Sequence, residues 1–430
     1  MKDRPERDAI WQELHARPYV RFSGPAHVLR ISFLLGEGEG VDLRPLRELT
    51  QGLGLAPTYE TERHSIFTTT VAGAGRLVLS WEQHSEFVAY TFFLYDLQIP
   101  FSPFGFDVLQ LAPKGWLAGL AASPLVATRL AVGSTPEMPD TLEGLMALFG
   151  GHTVNGSRVM GGRAEAWTCY RAHEDGFGRI AVVTRDVSEQ ELGRTVERLL
   201  AIEDAYHLTL LPLPMARDVK PELAAAERRM VQEMDALRRA QSVQEKRTVL
   251  DALLELAAEV EHLRARVSNR FAGSSAYFSL LESRFVDLRE DKIEHVLRLS
   301  RFVMRRVRPA AETYRSLLER LAKLSERVAR AADLLRTGIE LHVEEQNARL
   351  LESVDRRAKL QLRLQQAVEG LSVVVITYYV LGLIDQALKG IQSRGLDFDL
   401  DATLALVLPF LLVAVWGVVH AARRKFRDDS

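Results

Sequence analysis

The stretch Ala402–Ala422, ATLALVLPFLLVAVWGVVHAA, runs 21 residues without a side chain that is charged at neutral pH. At 1.5 Å per residue a helix of that length spans roughly 32 Å, enough to cross a hydrocarbon core of about 30 Å. A helix of a soluble protein normally keeps one polar face, and this one has none. Pro409 is tolerable in lipid, where a neighbouring helix covers the kink. The run therefore predicts a membrane-crossing helix.

An earlier run, GLSVVVITYYVLGLI at Gly370–Ile384, is 15 residues long and reaches spanning length only when extended to Leu388, which takes in Asp385. Flanking charge decides how the two runs relate. Arg356, Arg357, Lys359 and Arg363 precede the first, and Arg423, Arg424, Lys425 and Arg427 follow the second, whereas the Lys389–Asp401 connection carries two basic and three acidic residues. Positive charge on both outer flanks predicts a hairpin with both ends in the cytoplasm. The opening residues MKDRPERDAIWQELHARP have no apolar core and do not read as a secretory signal.

Upstream, about Pro221 to Glu369 is almost continuously helix-forming. Leu317, Leu321, Leu324, Val328, Ala331 and Leu335 follow alternating steps of four and three, the spacing of a coiled-coil or bundle seam. Gly273, Ser274 and Ser275 read as a break and Pro309 as a helix start, predicting helices at about 220–270, 275–306 and 309–388. So apolar a seam predicts self-association.

The first 210 residues alternate strand-like and helix-like pieces. AHVLRISFLL, LRPLRELTQGLGL, RHSIFTTTVA, RLVLSWEQ and EFVAYTFFLY read as β-α-β-β-β. PLVATRLAV, TLEGLMALFG, HTVNGSRV, AEAWTCYRA and GRIAVVTRD repeat that order and suggest a duplicated unit. The expected organisation is an α+β cytoplasmic domain over 1–215, a helical stalk over 216–369, membrane helices at 370–388 and 402–422 joined by an extracytoplasmic loop at 389–401, and a basic tail at 423–430.

Composition narrows the function classes. In 430 residues, 55 Lys and Arg nearly cancel 57 Asp and Glu, so no overall field draws in nucleic acid. A single cysteine, Cys169, excludes an intramolecular disulfide framework. Gly73 and Gly75 in AGAGR lie between strand-like runs and read as a hairpin turn, and GEGEG at Gly36–Gly40 has glutamates that would repel a phosphate. His84 and Glu86 share a strand face, His342 and Glu345 lie three apart on the stalk, and Asp287, Glu290, Asp291 and Glu294 form an acidic strip interleaved with Arg289 and Lys292. His84 and Glu86 could form an acid–base or metal pair and His342 and Glu345 could share a divalent ion, but no second cluster with ligand spacing accompanies them. Surface or packing roles are therefore expected, and no nucleophile elbow occurs. No catalytic residue and no cofactor are expected.

Within the first membrane run, Tyr378, Gly382 and Asp385 fall on one helix face, beside a stripe of Ser372, Tyr379 and Gln386. Ionisable residues in such helices face protein or water, so this face is the candidate pore lining. Asp385 at headgroup level would instead be an interfacial anchor.

ELHARP at Glu13–Pro18, WEQHSEF at Trp81–Phe87 and QLRLQQAVEGLSVVVITYYVLGL at Gln361–Leu383 resemble an uncharacterised bacterial family of predicted membrane-anchored proteins, over essentially the whole chain. The resemblance implies the same layout and no established activity. The architecture also looks like that of CorA-type divalent-cation transporters, which form oligomers with the first membrane helix lining the pore. The Gly-Met-Asn signature of those proteins should end that helix, where this chain reads GLIDQ. The expected function is thus a non-enzymatic, homo-oligomeric protein of the bacterial inner membrane. Its cytoplasmic domain would sense a condition or bind a partner. The alternative is a CorA-like channel or transporter for a divalent cation.

Overall fold

Strand β1 (Ala26–Leu34) alternates two kinds of surface: Val28, Arg30 and Ser32 on one side, Leu29, Ile31 and Phe33 on the other. All of these residues are buried, so the strand lies inside the molecule with both faces covered. The computed structural model describes residues 18–36, 40–120, 123–392 and 399–428. Most of Glu13–Pro18, the centre of Gly36–Gly40, the middle of the Lys389–Asp401 connection and the last two residues of the basic tail lie outside these.

Helix α1 (Arg44–Gly52) follows β1. The chain then lays down β2 (Ala56–Glu60), β3 (His64–Val71), β4 (Gly75–Gln83) and β5 (Phe87–Tyr95). The second half repeats the plan with β6 (Val126–Ser134), α2 (Leu142–Leu148), β7 (Asn155–Val159), β8 (Ala164–Thr168) and β9 (Gly178–Thr184). Together with β10 (Asp291–Lys292) they form a ten-stranded mixed sheet in the order β10-β7-β8-β9-β6-β1-β5-β4-β3-β2. The first strands of the halves, β1 and β6, pair antiparallel at the centre, and the last strand of each half returns beside its own first strand. The first half has one strand more than the sequence pattern suggests. That strand, β2, is short, lies on the edge, contains Pro57 and is bulged, so it lacks the usual strand signature. The added strand reverses parity: β5 is antiparallel to β1, whereas β9 is parallel to β6.

The β3–β4 hairpin turns at Gly73, as expected from AGAGR, with φ of +75°. A Cβ at Gly75 would come within 2.6 Å of the Tyr95 carbonyl oxygen, so only glycine fits there.

Long helices follow: α3 (Glu189–Leu210), α4 (Leu213–Arg239), α5 (Val243–Leu288), α6 (Leu299–Gln392) and α7 (Leu400–Asp428). Residues up to Arg239 together with Asp251–Ala331 form one compact unit, and Ala240–Leu250 with Ala332–Ser430 form a second. In the first, one sheet face carries Val28, Phe93, Leu130 and Val182 under α3, the end of α5 (Phe278, Leu281, Phe285) and the start of α6 (Leu299, Val303, Val307). The other face is covered by α1 with Trp116, and by α2. The globular part therefore does not stop near residue 215, because the apolar face of the sheet needs α5 and α6 to bury it.

The helix breaks differ from those expected. Gly273 and Ser274 sit inside α5, where small residues let the helix approach its neighbours: a Cβ on Gly273 would reach 2.8 Å from Glu86 Oε1, and the Ser274 hydroxyl donates to the Thr209 carbonyl. Pro309 lies within α6 and does not start it. The real breaks are residues 240–242, where Ser242 and Glu245 form a reciprocal capping box, and residues 289–298, where the chain leaves helix to pair β10 with β7. The acidic strip consequently does not exist on one helix, since α5 ends at Leu288.

The seam from Leu317 to Leu335 is buried within the single chain. In the first unit, Arg320 pairs with Glu227 of α4, Ser325 donates to Glu261 of α5, and Tyr314 stacks on Phe271. The seam thus meets this chain's own helices and does not call for a second copy.

Candidate functional site

Two backbone distortions build the walls of a large cleft in the first unit. Tyr170, just beyond β8, and His295, in the segment before α6, have φ of +51° and +61°. Bulky residues adopt this region only when surroundings hold them there. Tyr170 is locked on both sides: its N–H donates to Thr168 Oγ1, and its ring stacks on Phe302 with centroids 4.8 Å apart. Tyr206 of α3 meets the same ring edge-on at 5.9 Å. The cleft has a volume of about 830 Å³ and draws its lining from five places: residues 151–155, residues 169–171, the end of α3, residues 295–297 and the first turns of α6.

The fixed charge in its lining comes from two arginines. Arg171, Arg306, His152 and His295 line it, and no aspartate or glutamate does. Arg306 lies 3.9 Å over the Phe302 ring. Beneath Tyr206, whose hydroxyl donates to Glu203 at 3.0 Å, burial pushes the Glu203 carboxyl up to about 7.

Cys169 also lines the cleft, with its Sγ 3.5 Å from His173 Nε2. Burial raises the thiol's pKa, and burial, aided by the nearby Arg179 charge, lowers that of the imidazole. Both directions oppose a thiolate–imidazolium pair, the form an activated cysteine nucleophile needs.

The chain matches the family described as proteins of unknown function, DUF3422, over residues 2–426. It belongs to that family. No curated protein matches it.

On the opposite flank of α3, next to Glu203, lies a buried ion cluster around a cavity of about 170 Å³. Arg30 of β1 reaches Asp204 at 2.7 Å, Glu82 at 3.0 Å and Thr91 Oγ1 at 2.9 Å, and Ser32 donates to Asp204. Burial works against each charge. The two carboxylates nonetheless hold Arg30 above its ordinary pKa, and Arg30, followed by His84 and His64, holds Glu82 below its own. Glu197, on the rim of this cavity, is pushed up to about 7 by burial and then by the Glu82 charge.

The residues singled out from sequence fare unequally. His84 and Glu86 do not share a strand face, because β4 ends at Gln83: His84 stacks on Phe87, and Glu86 pairs with Arg270. On α6, His342 contacts Gln346 and Glu345 pairs with Arg349. Among the described residues no group of three or more His, Cys, Asp or Glu could hold a metal. Tyr378, Gly382 and Asp385 do come together, along a groove of about 500 Å³ that also includes Leu404 of α7. The Asp385 carboxylate accepts from Lys389 Nζ at 2.8 Å, one turn further along.

The cleft itself was not legible in the sequence. Its residues are scattered over 150 positions, and no local pattern marks a left-handed tyrosine. The Cys169–His173 spacing was the one available signal.

Proposed function

We propose that this protein is an anchored component of the bacterial inner membrane, with its α/β body acting in the cytoplasm as a sensing or partner-binding module and not as an enzyme. The observation that carries the reading is α7. Two helices are long and apolar enough to cross a membrane, and over Asp401–His420 of α7 not one residue is buried. Leu406, Phe410, Val413, Trp416 and Val418 are each more than half exposed. A helix apolar on every side belongs in lipid, since in water so much uncovered apolar surface would drive aggregation. The run ending at Leu388 carries Tyr378, Tyr379 and Leu383 in the same exposed state and supplies the second crossing. Basic residues on both outer flanks favour cytoplasmic termini. Residues 341–368 of α6, with Leu350, Leu351, Val354 and Leu364 exposed, support association with further copies of the chain.

Transport of a divalent cation by a CorA-like assembly is the second reading, and the groove holding Tyr378, Gly382 and Asp385 is what favours it. It ranks lower because Lys389 occupies the Asp385 carboxylate. An acidic ring attracts cations only with its charge uncompensated.

The test is extraction of membranes from cells expressing the full chain. After an alkaline carbonate wash the protein should stay with the lipid, and a chain ending at residue 369 should be released. Reporter fusions at Ser430 and within Lys389–Asp401 should give opposite topology signals. Release of the full chain by carbonate would sink the anchor, and matching reporter signals would sink the hairpin.

A further inference from the structure

We infer that the cleft between β7, the turn after β8 and the start of α6 binds a small organic anion, a carboxylate or phosphate carried on a flat apolar ring. This rests on reading the α/β body as a sensing module, for which it names the ligand class.

Charge comes first. Arg171 and Arg306 are exposed at the cleft, and among the described residues neither forms an ion pair. Several arginines nearby in the same unit are paired, Arg129 with Asp107 and Asp175, Arg163 with Glu191 and Arg185 with Glu165, whereas these two keep their charge. Arg306 spends one donor on the Phe302 carbonyl, at 3.2 Å, and rests its flat face on the Phe302 ring. That arrangement pre-orders a guanidinium without neutralising it. A guanidinium fork matches the paired oxygens of a carboxylate or phosphate. With two arginines and no lining carboxylate, the cleft selects for negative charge, and His152 and His295 add ring N–H donors.

The second observation is Asn155. It lines the cleft, is 5 % exposed, and its side-chain amide makes no hydrogen bond among the described residues. Its amide N–H is therefore open to a ligand oxygen without displacing a protein partner.

The third is shape. Tyr170 and Phe302 are stacked within 5° of parallel, with Tyr206 on edge, giving a rigid aromatic wall against which the apolar part of a ligand can pack. A volume of about 830 Å³ is in the range that takes a cofactor-sized molecule. The strained backbone at Tyr170 and His295 holds these groups in place before anything binds.

The test is calorimetric titration of the full chain in non-ionic detergent with phenyl phosphate, benzoate and neutral phenol. At least one anion should bind with a Kd below about 1 mM, and phenol should bind at least tenfold more weakly. Replacing both exposed arginines, Arg171→Ala with Arg306→Ala, should weaken anion binding tenfold or more with the melting temperature unchanged. Arg306→Lys should restore part of it, and Asn155→Ala alone should weaken binding several-fold. Failure of both anions to bind at about 10 mM overturns the inference. So does phenol binding as well as the anions, or a double variant that binds like the wild type. Carbonate extraction of the same preparation scores the anchor separately, so a failed titration on membrane-held protein removes the ligand and leaves the anchor.

Discussion

Arg30 and Asp204 stand 174 positions apart in the chain, and their side chains meet at 2.8 Å between the sheet and α3. Each is about 95 % buried, and Glu82 completes the group at 3.0 Å. A buried pair is retained at a desolvation cost, but removing one partner leaves the others uncompensated. Arg30→Ala strands two buried carboxylates and should lower stability by about 3–5 kcal/mol. Asp204→Asn can keep Arg30 on its amide oxygen, but its amide NH2 must donate to Ser32 where the carboxylate accepted, and the change should cost about 1–3 kcal/mol. Urea midpoints in detergent decide it, and a change below about 1 kcal/mol for Arg30→Ala would mean that the cluster is solvated.

Glu197 and Glu203 make stability fall as pH rises towards neutrality. Burial lifts both carboxyls to about 7 from an ordinary value of 4.5. Between those values the folded chain keeps protons that the unfolded chain has released, so their contribution is complete below about 4.5 and is lost as pH rises through about 7. Glu197→Gln cannot ionise and should flatten the melting temperature between pH 5 and pH 8. An unchanged slope in that variant would exclude Glu197 as a source.

Two glycines inside helices should answer alanine differently. At Gly193 of α3 a Cβ would sit 2.1 Å from the Val20 carbonyl oxygen, part of the backbone. Alanine normally gains about 1 kcal/mol over glycine in a helix, but here overpacking should win and destabilise by about 1–3 kcal/mol. At Gly273 the neighbour is the end of the flexible Glu86 side chain, which can turn aside. Gly273→Ala should be neutral within about 0.5 kcal/mol. Thermal melts of the two variants side by side test the pair, and equal shifts would refute the distinction.

Leu321 is fully buried in the seam of α6. Because the seam packs within one chain, Leu321→Ala should cost about 2–5 kcal/mol of stability and leave the oligomeric mass unchanged. Loss of mass without loss of stability would return the seam to an interface between copies.

Much of this architecture was written locally. The succession of strands from Ala26 to Tyr95, β2 apart, and from Val126 to Thr184 follows from runs of β-branched and aromatic residues broken by turn residues. The apolar stretch at Ala402–Ala422 needs no partner to be recognised. Both signals act between neighbours in the chain, where backbone geometry and side-chain chemistry suffice.

What residues 240–331 do was decided by tertiary structure alone. Gly273 and Ser274 look like a break, yet they serve as contact points, because what they meet is Glu86 and Thr209, remote in sequence. The part of the seam at Leu317–Val328 shows that something must cover it, but only the folded chain supplies α4 and α5 as the cover. The cleft depends on five separate segments and on two strained residues, Tyr170 and His295. Hydrophobic periodicity carries the demand for burial but not the identity of the partner, since any apolar surface of matching shape satisfies it equally well.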